Sequence, residues 1–162
     1  MIPNYKEDMP VLHETLDTLA SHPHALASYR IVLAMEAREQ DSTSKAHTLI
    51  DLYSAKFLEI TYTSHPPNIP GESAGKSSNL AWASRDIASR LAGDVERQER
   101  TVITVLDSDS SLAGDYFAAV AARFVDVKGK EDREKMMFVT PIVFDRNAKD
   151  VPMPVRIVDI FW

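Results

Sequence analysis

The segment YRIVLAME, residues 29–36, contains an unbroken run of apolar side chains. A strand with one face toward water alternates polar and apolar residues, whereas a strand buried on both faces is apolar along its length. The run therefore predicts an inner strand of a parallel sheet with helices covering both faces. Since parallel neighbours are joined by crossover segments, helices must alternate with strands along such a chain.

The rest of the chain alternates in this way. Apolar side chains recur at helical spacing in residues 8–20, 43–57, 79–92 and 115–124. Strand-like patterns occupy residues 58–63, 101–106 and 137–144. Asp8 is the expected N-cap of the first helix, and Pro10 lies in its first turn. The predicted fold is α/β, with a mostly parallel sheet flanked by helices.

Composition narrows the class of protein. At 162 residues the chain suits one domain with a hydrophobic core. Its net charge of −6 argues against a general nucleic-acid binder, which normally carries a basic patch. The absence of cysteine excludes a disulfide framework and a thiolate zinc site. The N-terminal MIPNYKEDMP lacks the features of a signal peptide, and no window is apolar enough to span a membrane, so we expect a soluble chain.

Two aspartates one residue apart, Asp107 and Asp109, directly follow the strand predicted at residues 101–106. Like charges this close repel, so the arrangement costs free energy unless a cation or hydrogen-bond donors offset it. Carboxylate oxygens suit Mg²⁺ or Mn²⁺, and a cation held there can stabilise a departing diphosphate. The alternative is a loop in which Asp107 caps a turn and Asp109 is merely solvated.

The segment GESAGKS, residues 71–77, nearly matches a phosphate-binding P-loop. Three residues, not four, separate Gly71 from Gly75, and the segment does not turn directly out of its strand, so we reject a P-loop ATPase. Lys76 can still neutralise a phosphate at the start of the helix predicted at residues 79–92, where the helix dipole favours anions. The alternative is an exposed loop lysine.

Four motifs occur in a characteristic order: IPNYKED (2–8), LAMEA (33–37), GKSSNLAWA (75–83) and VLDSDS (105–110). Together they resemble family-2 glycosyltransferases, the inverting GT-A group that includes cellulose, chitin and hyaluronan synthases. PIVFDRN, residues 141–147, resembles a stretch that follows the D-x-D in fungal members. The resemblance extends from Ile2 to about Phe144 and implies the GT-A fold.

The resemblance also implies a site for a nucleotide-sugar donor. The segment after the first strand would cradle the base, and the acidic residue ending the second strand would bind the uridine moiety. The G-K segment would lie near the base or phosphates, and the D-x-D would hold the donor through Mn²⁺ or Mg²⁺. The implied nucleotide-sugar-binding residues are Pro3, Asn4, Tyr5, Glu7, Glu36, Lys76, Asn79, Asp107 and Ser108. The implied metal ligands are Asp107 and Asp109, with Asp109 the more direct one.

Several family features differ or are missing. The family's P-x-Y-N-E appears as PNYKE, Glu36 replaces a more frequent aspartate, and D-D-G-S and Q-x-x-R-W are absent. Inverting transfer needs a general base, and we assign none, because Asp145, Asp150 and Asp159 lack the E-D-like context. The catalytic residue is therefore unknown.

Met1 stands where the family's first strand finishes. We therefore expect residues 1–162 to form one partial domain, the donor-binding half, incomplete at both ends, with the remainder of the catalytic domain as its partner. Many family members carry transmembrane helices after the catalytic domain, so the resemblance allows a membrane-associated parent whose catalytic domain faces the cytoplasm. The C-terminal VRIVDIFW either packs onto the sheet or awaits such a partner.

The expected activity is transfer of a sugar from a nucleotide-sugar donor, most simply a UDP-sugar, to an acceptor hydroxyl with inversion. One alternative is a non-catalytic nucleotide-binding or scaffolding module that keeps the pocket and lacks the base. Another is a Mg²⁺-dependent phosphatase that uses LDSDSS as a haloacid-dehalogenase-like nucleophile motif. That motif requires Thr or Val where Ser111 stands, which disfavours the phosphatase.

Overall fold

The computed structural model describes residues 1–127, 129, 132–133 and 135–139. Its helices and strands are β1 Ile2–Asn4, α1 Met9–Ala20, α2 Ala25–Ser28, β2 Arg30–Glu36, α3 Ser42–Tyr53, β3 Glu59–His65, α4 Lys76–Leu91, α5 Val95–Glu99 and α6 Tyr116–Asp126. The chain divides into two compact units, Met1–Phe117 and Ala118–Trp162. The first unit contains the sheet and the candidate site. In the second, the guanidinium of Arg133 lies 5.6 Å from the ring centroid of Phe124.

The sheet has three parallel strands in the order β1-β2-β3. Its register pairs Asn4 with Met35 and Glu36 with His65. Because the strands are parallel, their last residues lie along one edge of the sheet, which we call the carboxyl edge. The prediction of an α/β fold with a parallel sheet flanked by helices is confirmed at this level.

The two faces of β2 are both covered, as its apolar run predicts. On one face, the side chains packed in a single core come from β2, α1 and α3: Ile31, Leu33, Met35, Leu12, Leu16, Leu19, Leu49 and Tyr53. On the other face, Val32 and Ala34 pack with Ala83 of α4, against which Ile87 also packs. Successive residues of β2 therefore point alternately toward α1 with α3 and toward α4.

The strand predicted at residues 101–106 is wrong, because the segment has no regular secondary structure. It nevertheless contacts the start of the chain: the Met1 ammonium donates to the Thr104 carbonyl oxygen at 2.7 Å, and the Leu106 N–H donates to the Met1 carbonyl oxygen at 3.0 Å. These bonds have the pattern of one parallel bridge. Both involve Met1, which precedes β1, so the pairing does not continue into a ladder. The segment still leads Asp107 toward the carboxyl edge.

Several helix boundaries also differ from prediction. The first helix is confirmed, with Asp8 at its N-cap, although the Asp8 side chain makes no capping hydrogen bond. Helix α3 ends at Tyr53 instead of residue 57, and α4 begins at Lys76 instead of residue 79. The short helices α2 and α5 were not predicted. None of the helices in the described ranges combines the length and hydropathy of a membrane span.

The strand predicted at residues 137–144 is not formed at residues 137–139, which have no regular secondary structure. Its remainder lies outside the described residues. So do the PIVFDRN motif at 141–147, the candidate bases Asp145, Asp150 and Asp159, and the C-terminal VRIVDIFW.

Candidate functional site

The turn after β1 is organised by Glu39, a residue that the sequence patterns did not single out. Its Oε2 accepts a hydrogen bond from Asn4 Nδ2 at 3.3 Å and another from the Lys6 N–H at 2.9 Å. Lys6 adopts a left-handed backbone conformation with φ of 63°. Asn4 is almost fully buried, so it holds the turn from inside the protein.

Lys45 of α3 binds to the same turn through two contacts. It forms an ion pair with Glu39, and its Nζ donates to the Glu7 carbonyl oxygen at 2.7 Å. The predicted site residue Glu7 is therefore held through its backbone, and Pro3 is buried within β1. Within the motif at residues 2–8, Tyr5 presents an exposed aromatic side chain on which a ligand can stack.

Tyr5 is 42% exposed and has two cationic side chains over its ring. The Arg38 guanidinium carbon lies 4.4 Å from the ring centroid, and Lys6 Nζ lies 5.2 Å from it. Cation–π attraction orders both side chains. The result is a partly exposed flat surface of aromatic and guanidinium groups, on which a planar ligand group can stack.

Glu36 lies below this surface and is 1% exposed. Its Oε2 accepts from Arg38 Nε at 3.1 Å and lies 3.3 Å from His65 Nδ1. A carboxylate removed from water needs such partners to compensate for lost hydration. Glu36 therefore joins the end of β2 to the end of β3 and also orients Arg38.

His65 lies between two carboxylates. Its Nδ1 faces Glu36, and its Nε2 lies 3.2 Å from Oε2 of Glu72 in the loop before α4. A neutral imidazole donates from one nitrogen only, so only the imidazolium donates to both carboxylates. The pKa of Glu72 is lowered, mainly by its hydrogen bond with His65 and further by Arg85, whose Nη2 lies 3.1 Å from Glu72 Oε1.

Trp82 of α4 closes this network on one side. Its ring centroid lies 5.9 Å from that of His65 in an edge-to-face arrangement, and the Arg85 guanidinium carbon lies 5.6 Å from the Trp82 ring. Sequence reasoning missed Arg38, His65, Glu72 and Trp82. The available signal was that Glu36 ends one predicted strand and that His65 follows the next one, predicted at residues 58–63, by two residues.

The start of α4 carries the predicted residues Lys76 and Asn79. Lys76 forms an ion pair with Asp107, and both side chains are about half exposed. Asn79 is buried, and its Nδ2 donates to the Ala34 carbonyl oxygen at 2.7 Å. No partner for Asn79 Oδ1 lies among the described residues. Asn79 thus attaches the first turn of α4 to β2.

The D-x-D turn is anchored by its middle residue. Ser108 is buried, and its carbonyl oxygen accepts from Thr15 Oγ1 of α1 at 2.7 Å. The Asp107 carbonyl oxygen accepts from the Ser110 N–H at 3.1 Å, which closes a turn. The side chains of Asp107 and Asp109 are both exposed on either side of this anchor. The expected cost of the paired acids is offset at Asp107 by a cation, which is Lys76.

The predicted residues therefore fall into separate groups. Tyr5 and Glu36 belong to a continuous chain of contacts through Arg38 that extends to His65. Lys76 and Asp107 form a second group, and the hydrogen bond of Asn79 to β2 brings α4 beside the first. In the part of the chain that the structure describes, no three His, Cys, Asp or Glu side chains form a metal-binding group.

The fold is a small three-stranded parallel sheet flanked by helices, which is Rossmann-like in general terms. No protein-family model matches the chain, and no similar curated protein or solved structure was found. Function must therefore be inferred from the residues themselves.

Proposed function

We propose that this chain binds a nucleotide sugar as the donor-binding part of an inverting glycosyltransferase similar to family 2, with a GT-A fold. One structural observation is the main support for this function. Four motifs that are far apart in sequence end at, or begin beside, the carboxyl edge of a parallel sheet, the edge at which open α/β sheets bind ligands.

Tyr5 and Arg38 receive the base in this proposal. The exposed ring and the guanidinium over it provide a flat surface for stacking, and stacking of this kind tolerates different bases. Because Glu36 is buried behind Arg38, it acts mainly by holding Arg38 over the ring. Glu36 is therefore a positioning residue for the base.

Lys76 and the first turn of α4 receive the diphosphate. The unpaired N–H groups and the dipole of a helix N-terminus favour an anion, and Lys76 adds a positive charge beside them. Lys76 is also close enough to Asp107 to pair with it. It thereby links the diphosphate-binding turn to the D-x-D.

Asp107 and Asp109 suit a hard divalent cation, since both side chains are exposed carboxylates and a diphosphate can complete the coordination. Such a cation would compete with Lys76 for Asp107, which frees Lys76 to contact phosphate. Mn²⁺ or Mg²⁺, when bound, would neutralise charge on the departing diphosphate. The acceptor hydroxyl oxygen would form a bond to the anomeric carbon as the bond from that carbon to the diphosphate breaks. The hydroxyl proton would pass to a general base that is not among the residues named above.

The direct test is calorimetric titration of UDP with and without Mn²⁺. We expect Mn²⁺ to tighten binding, and Asp109→Ala to weaken the Mn²⁺-dependent affinity by about tenfold or more, as expected for disturbed metal coordination. Asp51→Ala, which removes an exposed carboxylate from α3, is the matched control and should change nothing. Equal affinity with and without Mn²⁺, or no UDP binding at all, would contradict the proposal.

A second pair of variants tests the stacking surface. Tyr5→Ala should weaken UDP binding by about tenfold, the order expected when one aromatic–base stack is lost, whereas Tyr5→Phe should retain it.

Incubation of the unsubstituted chain with a UDP-sugar separates two classes of protein, a transferase and a binding module. Release of UDP supports a transferase, whereas tight binding without turnover supports the non-catalytic nucleotide-binding module.

A further inference from the structure

A cavity lies at the end of the sheet opposite the carboxyl edge, which we call the amino edge. Its volume is about 520 Å³, and it lies between the starts of β2 and β3, the end of α4, α5 and residues 101–104. This volume is within the range of small-molecule sites in proteins, roughly 300–1,000 Å³. None of the residues proposed above to contact a nucleotide lines it.

The cavity is rich in arginine. Four arginines line it, namely Arg30, Arg90, Arg97 and Arg100. Three carboxylates also line it, namely Glu59, Asp94 and Glu96. The whole chain has 18 basic against 24 acidic residues, so the local balance is opposite to that of the protein. A local excess of positive charge of this kind favours an anionic ligand.

Arg90 is paired with Asp86 at 2.7 Å and Arg100 with Glu96 at 3.2 Å, so the least satisfied of these arginines is Arg97. Glu59 Oε2 is shared between Arg30, at 2.6 Å, and Arg97, at the longer distance of 3.7 Å. The Asp94 carboxylate accepts from the backbone N–H of Arg97 at 3.0 Å, so it serves as the N-cap of α5. Among the described residues, the Arg97 guanidinium therefore has a single carboxylate partner, Glu59, at a long distance.

A buried donor on Arg97 supports the same conclusion. Its Nε is shielded from solvent, and no described residue offers an acceptor within hydrogen-bonding distance. Buried N–H groups are normally paired, so an unpaired one indicates a position where an acceptor oxygen fits. The rest of the side chain is accessible, which allows the guanidinium to turn toward a ligand.

We propose that the amino-edge cavity binds a phosphate group, with Arg97 as the main contact and Arg30 and Arg100 beside it. A guanidinium presents paired N–H donors that match phosphate oxygens, and several arginines can share one dianion. The cavity is larger than inorganic phosphate needs, so the occupant is a small phosphate ester. This site is independent of the nucleotide-sugar function proposed above.

The test is titration of the full chain with inorganic phosphate and with glycerol 3-phosphate at constant ionic strength, followed by calorimetry. We expect the ester to bind more tightly than free phosphate. Arg97→Gln should weaken the binding of both probes by about tenfold or more. Arg97→Lys should also weaken it, because lysine keeps the positive charge but lacks the paired N–H donors of the guanidinium. Arg123→Gln, an exposed arginine of α6, makes the same charge change and should leave both affinities unaltered.

Three outcomes would overturn this site: no binding of either probe, equal effects of Arg97→Gln and Arg123→Gln, or loss of phosphate binding in Lys76→Ala. The last result would place the phosphate at the carboxyl edge. Lys76→Ala should instead weaken UDP and leave glycerol 3-phosphate binding intact, so the two proposals fail separately. If Arg97→Gln proves unfolded by circular dichroism, Arg100→Gln, whose side chain is 78% exposed, tests the same cavity and should weaken glycerol 3-phosphate several-fold.

Discussion

The two ends of the sheet contain the same arrangement in two environments. At the carboxyl edge, Oε2 of Glu36 is shared between Arg38 and His65. At the amino edge, Oε2 of Glu59 is shared between Arg30 and Arg97. The Glu36 side chain is 2% exposed, whereas that of Glu59 is 36% exposed. One carboxylate between two basic side chains is thus buried at one end and accessible at the other.

Burial gives these two arrangements different uses. A buried carboxylate cannot lose its partners without a large desolvation cost, so Glu36 holds Arg38 and His65 in place. An exposed carboxylate is screened by water, so the arginines around Glu59 can exchange it for another anion at little cost. The carboxyl edge is therefore preorganised, and the amino edge is adaptable.

The largest expected difference between the edges is in stability. Glu36→Gln should lower the free energy of unfolding by about 3 kcal/mol, because it removes the shared counter-charge from a buried network. Glu59→Gln, the matched change at the amino edge, should lower it by less than about 1 kcal/mol. Urea unfolding of both variants measures the contrast. Equal losses would show that burial does not distinguish the two carboxylates.

A second effect of burial concerns the Met1 amino group, which donates a hydrogen bond to Thr104 in the segment 101–106. In a chain with a free amino group at Met1, burial lowers the pKa of the ammonium to about 6 from 8.0. The unfolded chain then holds the proton more tightly, so the free energy of unfolding should rise between pH 6 and pH 8. The expected rise is up to about 2.7 kcal/mol.

Comparison with the Nα-acetylated chain isolates this contribution. Acetylation removes the titrating group and keeps an N–H that can donate to Thr104. Every other side chain is common to both forms, so its contribution cancels in the difference. In thermal unfolding measured from pH 5.5 to 8.5, stability should rise more steeply with pH for the chain with the free amine than for the acetylated chain. Parallel curves would contradict the lowered pKa of the Met1 ammonium.

The smallest effect is expected at the loop before α4. Since the pKa of Glu72 is lowered by His65 and Arg85, its carboxylate stabilises the fold above its usual value of 4.5. That contribution is lost as the pH falls through the folded-state pKa. Glu72→Gln should therefore reduce the acid sensitivity of unfolding below about pH 4.5. An acid profile of Glu72→Gln identical to that of the unsubstituted chain would contradict this prediction.

Patterns that depend on local sequence predicted the α/β class and several of its elements. Helix α1 and strand β3 were expected from their periodicity and strand β2 from its unbroken apolar run, and the structure contains all three. The prediction failed at residues 101–106, although their β-branched residues suit a strand. A strand also needs a partner of sufficient length. Among the described residues, this segment bonds to Met1 and, through Thr101, to the carbonyl oxygens of Gln98 and Arg97, and none of these belongs to a neighbouring strand.

For the candidate site, the sequence indicated residue types and their order but not their partners. Lys76 and Asp107 were both expected near a phosphate, and the structure pairs them with each other. The contacts of His65 and Arg38 with Glu36 were not expected. They depend on the register of β2 against β3 and on the turn after β2, which no local motif encodes.

The amino-acid sequence by itself determined the α/β class, the buried central strand and the acidic pair that follows residues 101–106. These depend on periodicity and residue type, which act over a few neighbouring positions. Only the tertiary structure decided that Glu36 would be buried between two basic side chains and that Glu59 would stay accessible between two others. The physical reason is that burial and ion pairing depend on which segments the sheet register and helix packing bring together, and those segments are far apart along the chain.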